Sequence, residues 1–248
     1  MKSAGEVEYR PRISVIIPTL NESASISRTL NAVMKLATPA EVIVVDGWSE
    51  DDTQKIARSH GVRVITSERG RGAQMDRGAR VAQGEILWFV HSDTLVPENA
   101  ADLIVRAFAD NGVIAGNFEV CFDGSGAAAR FMTWLYPQLR RLGLCYGDSA
   151  IFMRREAYQQ SGGFNALPIF EDLDLLRRLR RNRRFVHLPA SVITSDRRFR
   201  GRAFPITFIR WSALQLLYWL GSNPRHLGRL YAPVRSLGHN RKPRSINH

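Results

Sequence analysis

Four short apolar runs, at 13–17, 42–45, 62–65 and 86–90, alternate with stretches of helical spacing in the first half of the chain. Runs of this length, rich in Val and Ile and bounded by turn-forming residues, read as buried strands. Between the first two, Ile26, Leu30, Val33 and Met34 fall at helical spacing within 24–36. The segments 51–59 and 72–82 have the same rhythm, the former starting after Ser49 as its cap. A further helix is expected to begin near Pro97, a favoured first-turn residue. Strands and helices in strict alternation predict an α/β fold, a mostly parallel sheet wound by right-handed crossovers and flanked by helices.

In such sheets ligands collect beyond the carboxyl ends of the strands. Those ends read Pro18-Thr19, Asp46-Gly47, Thr66-Ser67 and His91-Ser92-Asp93. All four are polar or turn-forming and two present a carboxylate, which favours a small-molecule site at that edge. The fourth end is the most pointed, because the apolar run stops on a carboxylate flanked by a histidine and two hydroxyls. Helix capping by Asp93 or Thr94 would account for it. So would a carboxylate placed to hold a metal beside a phosphorylated ligand.

After residue 110 the rhythm changes. The segment 113–120 reads as a strand and 127–142 as a helix carrying Trp134 and Tyr136. Gly147-Asp148-Ser149 precedes the apolar AIFM, then the helix-like REAYQQSGGF. FEDLDLLRRLRR starts with acids and ends with arginines, the polarity that suits a helix dipole. Without an internal repeat or a low-complexity linker, 1–248 reads as a single domain. Its core spans about 12–200, and a helical basic tail spans about 201–248.

Charge and cysteine content narrow the partners. The net charge of +12 is concentrated in Arg177, Arg178, Arg180, Arg181, Arg183 and Arg184, followed by Arg197, Arg198, Arg200 and Arg202. A solvated helix face explains such a run, and so does an anionic partner. Cys121 and Cys145 lack CxxC spacing, which fits a reducing compartment and argues against structural zinc. The charged opening MKSAGEVEYRPR has no apolar signal region, so a cytoplasmic location is expected.

The stretches SVIIPTLNE, VIVVDGWSEDDT, RGRGAQMDRGA, ILWFVHSDT, GDSAIFMRREAYQQSGGF and FEDLDL occur in that order over roughly residues 13–175. Together they resemble the family 2 glycosyltransferases of the GT-A fold, in particular its short bacterial members. The resemblance implies a nucleoside-diphosphate sugar of UDP or GDP type as donor, a hydroxyl acceptor, and an inverting reaction. It implies that Pro18, Thr19, Glu22, Asp46 and Gly47 line the nucleotide pocket, with Gln74, His91 and Ser92 nearby. A carboxylate such as Asp46 accepts from a base imide or ribose hydroxyls, and the following glycine lets backbone approach. Capping a helix start is the bland role for Asp51. Arg69 and Arg71, set among glycines ahead of a helix, offer cations to a diphosphate.

Members of the family usually carry DxD where this chain has His91-Ser92-Asp93. The resemblance makes Asp93 the ligand of a divalent cation, Mn²⁺ or Mg²⁺, with phosphate oxygens and water completing its shell. His91 replaces the first Asp, either hydrogen-bonding the ribose or favouring Mn²⁺. Asp172 is implied as the base that deprotonates the acceptor, with Glu171 second, although Glu-Asp at a helix start is also an ordinary dipole-favoured pair. Gly147 and Asp148 are implied to shape the acceptor side.

Residues 204–220 are apolar but interrupted by Arg210 and Gln215, too short and polar for a spanning helix. They read as a core helix, or as an interfacial helix with Phe208, Trp211 and Trp219 at a membrane boundary. The second reading would allow a lipid-linked acceptor at the inner face of the membrane; an anionic soluble acceptor would also explain the arginines. A nucleotidyltransferase would need a Gly-rich loop where this chain has PTLNES. A basic nucleic-acid- or anionic-lipid-binding protein on a degenerate transferase fold is the alternative to an enzyme. Acidic strand ends argue against nucleic acid, because carboxylates repel a phosphate backbone.

Overall fold

β1 (Ile13–Thr19) is buried along its whole length and is the third strand of an eight-stranded sheet. The computed structural model describes residues 12–141, 143–179, 184–198 and 204–231. Of the arginine clusters, Arg180, Arg181, Arg183, Arg200 and Arg202 lie outside the described residues. β2 (Glu41–Asp46) pairs parallel on one side of β1 and β4 (Ile86–Phe89) on the other. β3 (Arg63–Thr66) pairs parallel with the outer side of β2. The helices between them are α1 (Ile26–Met34), α2 (Thr53–Ser59) and α3 (Arg71–Val81). The expected four-stranded parallel unit is therefore present.

Chain direction across this unit fixes where a ligand fits. The path goes from β1 outward through β2 to β3, then returns across β1 to β4, so β1 and β4 form the switch point of the sheet. Adjacent helices leave the sheet on opposite faces there, and the crevice between them opens at the carboxyl ends. Thr19, Asp46 and Thr66 stand side by side in register at that edge. Residues 91–93 follow β4 on the far side of the crevice.

The second half is mixed where the first is parallel. β7 (Phe152–Arg154) pairs antiparallel with β4, and β6 (Val113–Phe122) antiparallel with β7. β8 (Arg184–Thr194) runs parallel to β6 and holds the two-residue β5 (Thr94–Leu95) at the far edge. β8 was not expected from the sequence. Its RFVHLPASVIT alternates poorly and contains Pro189, which central strands exclude. Register shifts beside Val113 and Asn117 accommodate the irregularity. The remaining helices are α4 (Ala100–Ala107), α5 (Ala127–Arg141), α6 (Arg155–Gln160), α7 (Glu171–Leu179), α8 (Phe204–Trp219) and α9 (Pro224–Leu230).

Three local expectations shift. α2 starts at Thr53, because the Ser49 hydroxyl is engaged by Asp46 (2.5 Å) instead of capping. α4 starts three residues after Pro97, with Asn99 at the cap position. Met34, counted on the apolar face of α1, is exposed, while Thr29 is buried and donates to the Ser92 carbonyl (2.9 Å).

Apolar side chains pack both faces of the sheet. Ile13, Val15 and Ile17 point to one layer, and Ile16, Ile43 and Val45 to the other. Trp88 is fully buried, stacks obliquely on Phe118 (5.6 Å) and donates its indole N–H to the Ala150 carbonyl (3.1 Å). It thus ties β4 to the loop that carries Gly147 and Asp148. Trp88→Ala is expected to lower stability by about 3–5 kcal/mol through cavity formation, read as a reduced urea midpoint with unchanged slope.

Candidate active site

At the end of β2, Asp46 is fully buried and spends its carboxylate on the protein. Oδ1 accepts from the Ser49 N–H (2.9 Å) and the Gln54 amide (2.7 Å), and Oδ2 from the Thr19 and Ser49 hydroxyls (3.1 and 2.5 Å). Gln74, also buried, donates to the carbonyls of Thr19 (2.7 Å) and Val45 (2.8 Å). Asp46 and Gln74 therefore lock the ends of β1 and β2 together. Pro18 and Gly47 fall within the same locked corner. Arg69 braces the turn from outside, donating to the carbonyls of Gly47 and Trp48 and pairing with Glu50 (2.8 Å). Asp51 accepts from the N–H groups of Ser23 (3.1 Å) and Thr53 (3.0 Å), stitching this turn to the β1–α1 loop.

Across the crevice, Asp93 faces a cation absent from the expected site. The Arg197 Nε lies 3.1 Å from Asp93 Oδ2, while its two terminal nitrogens grip Glu22 in a bidentate pair (2.7 and 2.5 Å). Burial pushes the Asp93 carboxyl upward in pKa, with Arg197 and His91 opposing. His91 Nδ1 contacts Asp148 Oδ1 (2.9 Å), and Asp148 Oδ2 accepts from the Tyr136 hydroxyl (3.1 Å) with Arg198 at 3.7 Å. Burial alone would raise Asp148, but Arg198 and His91 outweigh it and hold the carboxyl well below its usual range. Ser92 is buried and contributes its carbonyl to Thr29.

The third cluster sits at the N-terminus of α7. Arg71 pairs with Glu171 (2.8 Å), whose other carboxylate oxygen is buried without a partner. Asp172 Oδ2 accepts from the Gly147 N–H (2.5 Å). Burial, reinforced by the neighbouring Glu171, raises the Asp172 pKa to about 6. Gly147 is needed for this closeness, since a Cβ there would stand 2.9 Å from His91 Nε2. Sequence positions far apart thus converge: Glu22, His91, Asp93, Asp148, Glu171 and Asp172, with Arg71, Arg197 and Arg198 between them.

Among the described residues, four non-glycine residues adopt left-handed backbone: Asn21, Trp48, Ala150 and Phe170. Each adjoins the site, next to Glu22, Gly47, Ser149 and Glu171. Left-handed conformations of bulky residues are costly and gather where surrounding structure holds a functional geometry. Trp48 is also 61% exposed. Trp48, Arg197, Arg198 and Tyr136 are members of the site region that sequence reasoning did not assign. The arginines had been read only as part of a charge run, and β8, the strand that delivers them, was unrecognised.

A divalent cation fits this site in one way. No group of three or more His, Cys, Asp or Glu among the described residues is arranged to cage a metal. Asp93 offers a single buried hard-oxygen ligand at the switch point. Mg²⁺-type sites commonly use one or two carboxylates and complete the shell with substrate phosphates and water. The residues therefore suit a cation that arrives with a diphosphate.

A parallel unit with its acidic edge, joined to a mixed second half, is the architecture shared with GT-A glycosyltransferases. The model described as glycosyl transferase family 2 matches residues 14–168, and the chain belongs to that family. Similar proteins include glycosyltransferase AglE of Haloferax volcanii, 32% identical over 131 residues (48% of this chain, 43% of that protein). Glucosyl-3-phosphoglycerate synthase of Mycobacterium tuberculosis is 33% identical over 96 residues (34% of this chain, 30% of that protein). The chain thus spans less than half the length of either relative. In structure it is similar to the mannosyltransferase PcManGT from Pyrobaculum calidifontis, solved with GDP-Man and Mn²⁺. That match has a TM-score of 0.64 at 20% identity, covering 91% of this chain and 69% of the other. TarS 1-349 from S. aureus, solved with UDP-GlcNAc, gives 0.62 at 19% identity, covering 87% and 69%.

Gly147→Ala is expected to displace His91 and to cost about 1–3 kcal/mol, as overpacking does. Denaturant melting and the His91 imidazole resonances check this, with Gly126→Ala, where a Cβ meets open space, as the control.

Proposed function

We propose that the chain is an inverting glycosyltransferase that moves a sugar from a UDP- or GDP-sugar to a hydroxyl acceptor, assisted by Mn²⁺ or Mg²⁺. The observation that carries the reading is Asp172. It is a carboxylate in the first turn of α7, raised to a pKa of about 6, held by the Gly147 N–H, and lining a cavity with Asp148 and Arg198. A base poised near the working pH combines ionisation with proton affinity.

In this reading Thr19, Glu22 and Trp48 border the nucleotide, and Asp46 and Gln74 hold the corner that shapes its pocket. His91 and Ser92 stand on the β4 side, and Arg69 and Arg71 flank the diphosphate. When bound at Asp93, the cation neutralises charge building on the departing diphosphate. The acceptor oxygen attacks the anomeric carbon from the face opposite the diphosphate, and its proton passes to an Asp172 carboxylate oxygen. The new C–O bond forms as the bond to the diphosphate breaks, and the electron pair leaves with the phosphate oxygen. Arg197, now on Glu22 and Asp93, and Arg198 stabilise that negative charge. Glu171 fixes Arg71, and Asp148 fixes His91 and the acceptor-side loop.

The same reading places the enzyme in the cytoplasm, at the inner face of a membrane. Its support is α8, mostly apolar with Arg210 exposed among its side chains, and with only Leu214 and Gln215 buried. No helix among the described residues is long and apolar enough to cross a membrane.

Calorimetric titration with UDP and GDP, each with and without Mn²⁺, is the direct test. One nucleotide is expected to bind in a metal-dependent manner, and Asp93→Ala should remove that dependence. Metal-independent binding, or none, would overturn the donor-site assignment. The rate of transfer is expected to rise with pH and level off above about 6, because protonated Asp172 cannot take the acceptor proton. Asp172→Asn should lower kcat by about 10²–10⁴-fold while sparing nucleotide affinity.

A further inference from the structure

Beside Asp172 lies a cavity of about 340 Å³ between α5, α8 and the start of α7. Its volume is in the range of small-molecule sites, and its two ends differ in chemistry. Asp148, Asp172, Arg71 and Arg198 form the inner end, whereas Leu135, Leu139, Phe208, Trp211 and Leu214 form the walls. A polyhydroxylated acceptor would leave hydroxyls unpaired against those walls. A compact anion would occupy only the inner end, where Arg71 and Arg198 stand, and leave the apolar walls uncovered.

Gln215 is 7% exposed, and among the described residues its Nε2 finds no hydrogen-bond acceptor, while its Oε1 accepts from the Tyr146 hydroxyl (3.4 Å). A buried unpaired donor lining a cavity indicates a missing acceptor oxygen. The cavity also continues to the surface. Trp219 lines it and is 56% exposed. On the outer sides of the same two helices, Phe131, Trp134, Ile206 and Ile209 are exposed. Exposed apolar patches of this kind mark binding surfaces, and Phe131 of this one packs edge-on against Phe208, which lines the cavity.

We propose that the acceptor is an amphiphilic alcohol drawn from a membrane surface. Its apolar body fills the cavity between α5 and α8, its hydroxyl lies at Asp172, and a neighbouring oxygen accepts from Gln215. This deepens the reading of Asp172 as the acceptor base and rests on it. The cationic balance of the chain, +12 overall, favours an anionic lipid surface as the source.

The test uses the full chain and two probes below their aggregation concentrations, 1-dodecanol and 1-monododecanoylglycerol. Trp211 and Trp219 line the cavity and report binding by fluorescence. Both probes are expected to bind saturably. Leu139→Trp, which fills the cavity, should weaken both by at least about tenfold and leave nucleotide affinity within about twofold. Gln215→Leu should weaken the glyceride about five- to tenfold and dodecanol less than about twofold, the signature of one lost hydrogen bond. Because it is isosteric in outline, Gln215→Leu carries the test if Leu139→Trp fails to fold.

Donor consumption is then compared with the glyceride in phosphatidylglycerol vesicles, the glyceride in solution, and soluble 3-phosphoglycerate or methyl glucoside. Fastest consumption with the vesicles supports the proposal, and equal rates for both glyceride forms overturn its membrane source. Non-saturable probe binding, indifference to both substitutions, or preference for a soluble polar acceptor overturns the acceptor class. Metal-dependent nucleotide binding without probe binding sinks this inference alone. Probe binding without nucleotide binding sinks the donor reading and leaves the cavity assignment standing.

Discussion

Carboxylates taken out of water must be paired, protonated or hydrogen-bonded, and this chain gathers Asp93, Asp148, Glu171 and Asp172 at one end of a sheet. The surrounding structure follows from that constraint. Asp148 is kept ionised by Arg198 and His91, and Glu171 is anchored by Arg71. Asp93 shares Arg197 with Glu22. Asp172 accepts from backbone N–H groups beside the like charge of Glu171, and burial together with that charge outweighs Arg71 and raises its pKa to about 6. One cluster thus contains a carboxyl held ionised, Asp148, and carboxyls that burial raises, Asp93 and Asp172. That separation of environments is what lets neighbouring carboxyls take different roles.

Backbone geometry serves the same end. The left-handed residues Asn21, Trp48, Ala150 and Phe170 all stand at turns that deliver a site residue. They tolerate that conformation because buried partners hold their turns. Asp46 holds Ser49 after Trp48, and Trp88 holds the carbonyl of Ala150. The core and the candidate site are therefore one mechanical unit, and the apolar layers on each face of β1 fix the crevice width.

The first four strands and their helices were legible because period-two and period-3.6 patterns are local properties of sequence. Their carboxyl ends were legible for the same reason, which is why Thr19, Asp46 and Asp93 were found at one edge. β8 was hidden by Pro189 and by an alternation that its register shifts make irregular. Arg197 and Arg198 were consequently seen as charge alone. The cap expected at Ser49 failed because a longer-range partner, Asp46, competed for its hydroxyl.

By itself the sequence determined the α/β class, the order of the first four strands and their helices, the acidic edge and the family pattern, since each depends on residues close together in the chain. The tertiary structure decided which of those acids are spent on the scaffold and which face the crevice. It turned Asp46 and Gln74 inward and brought Arg197 to Asp93 across more than a hundred residues of chain. It also set Gln215 and the apolar faces of α5 and α8 beside Asp172. Such pairings depend on packing between distant segments, and neither periodicity nor spacing encodes which distant side chain meets which.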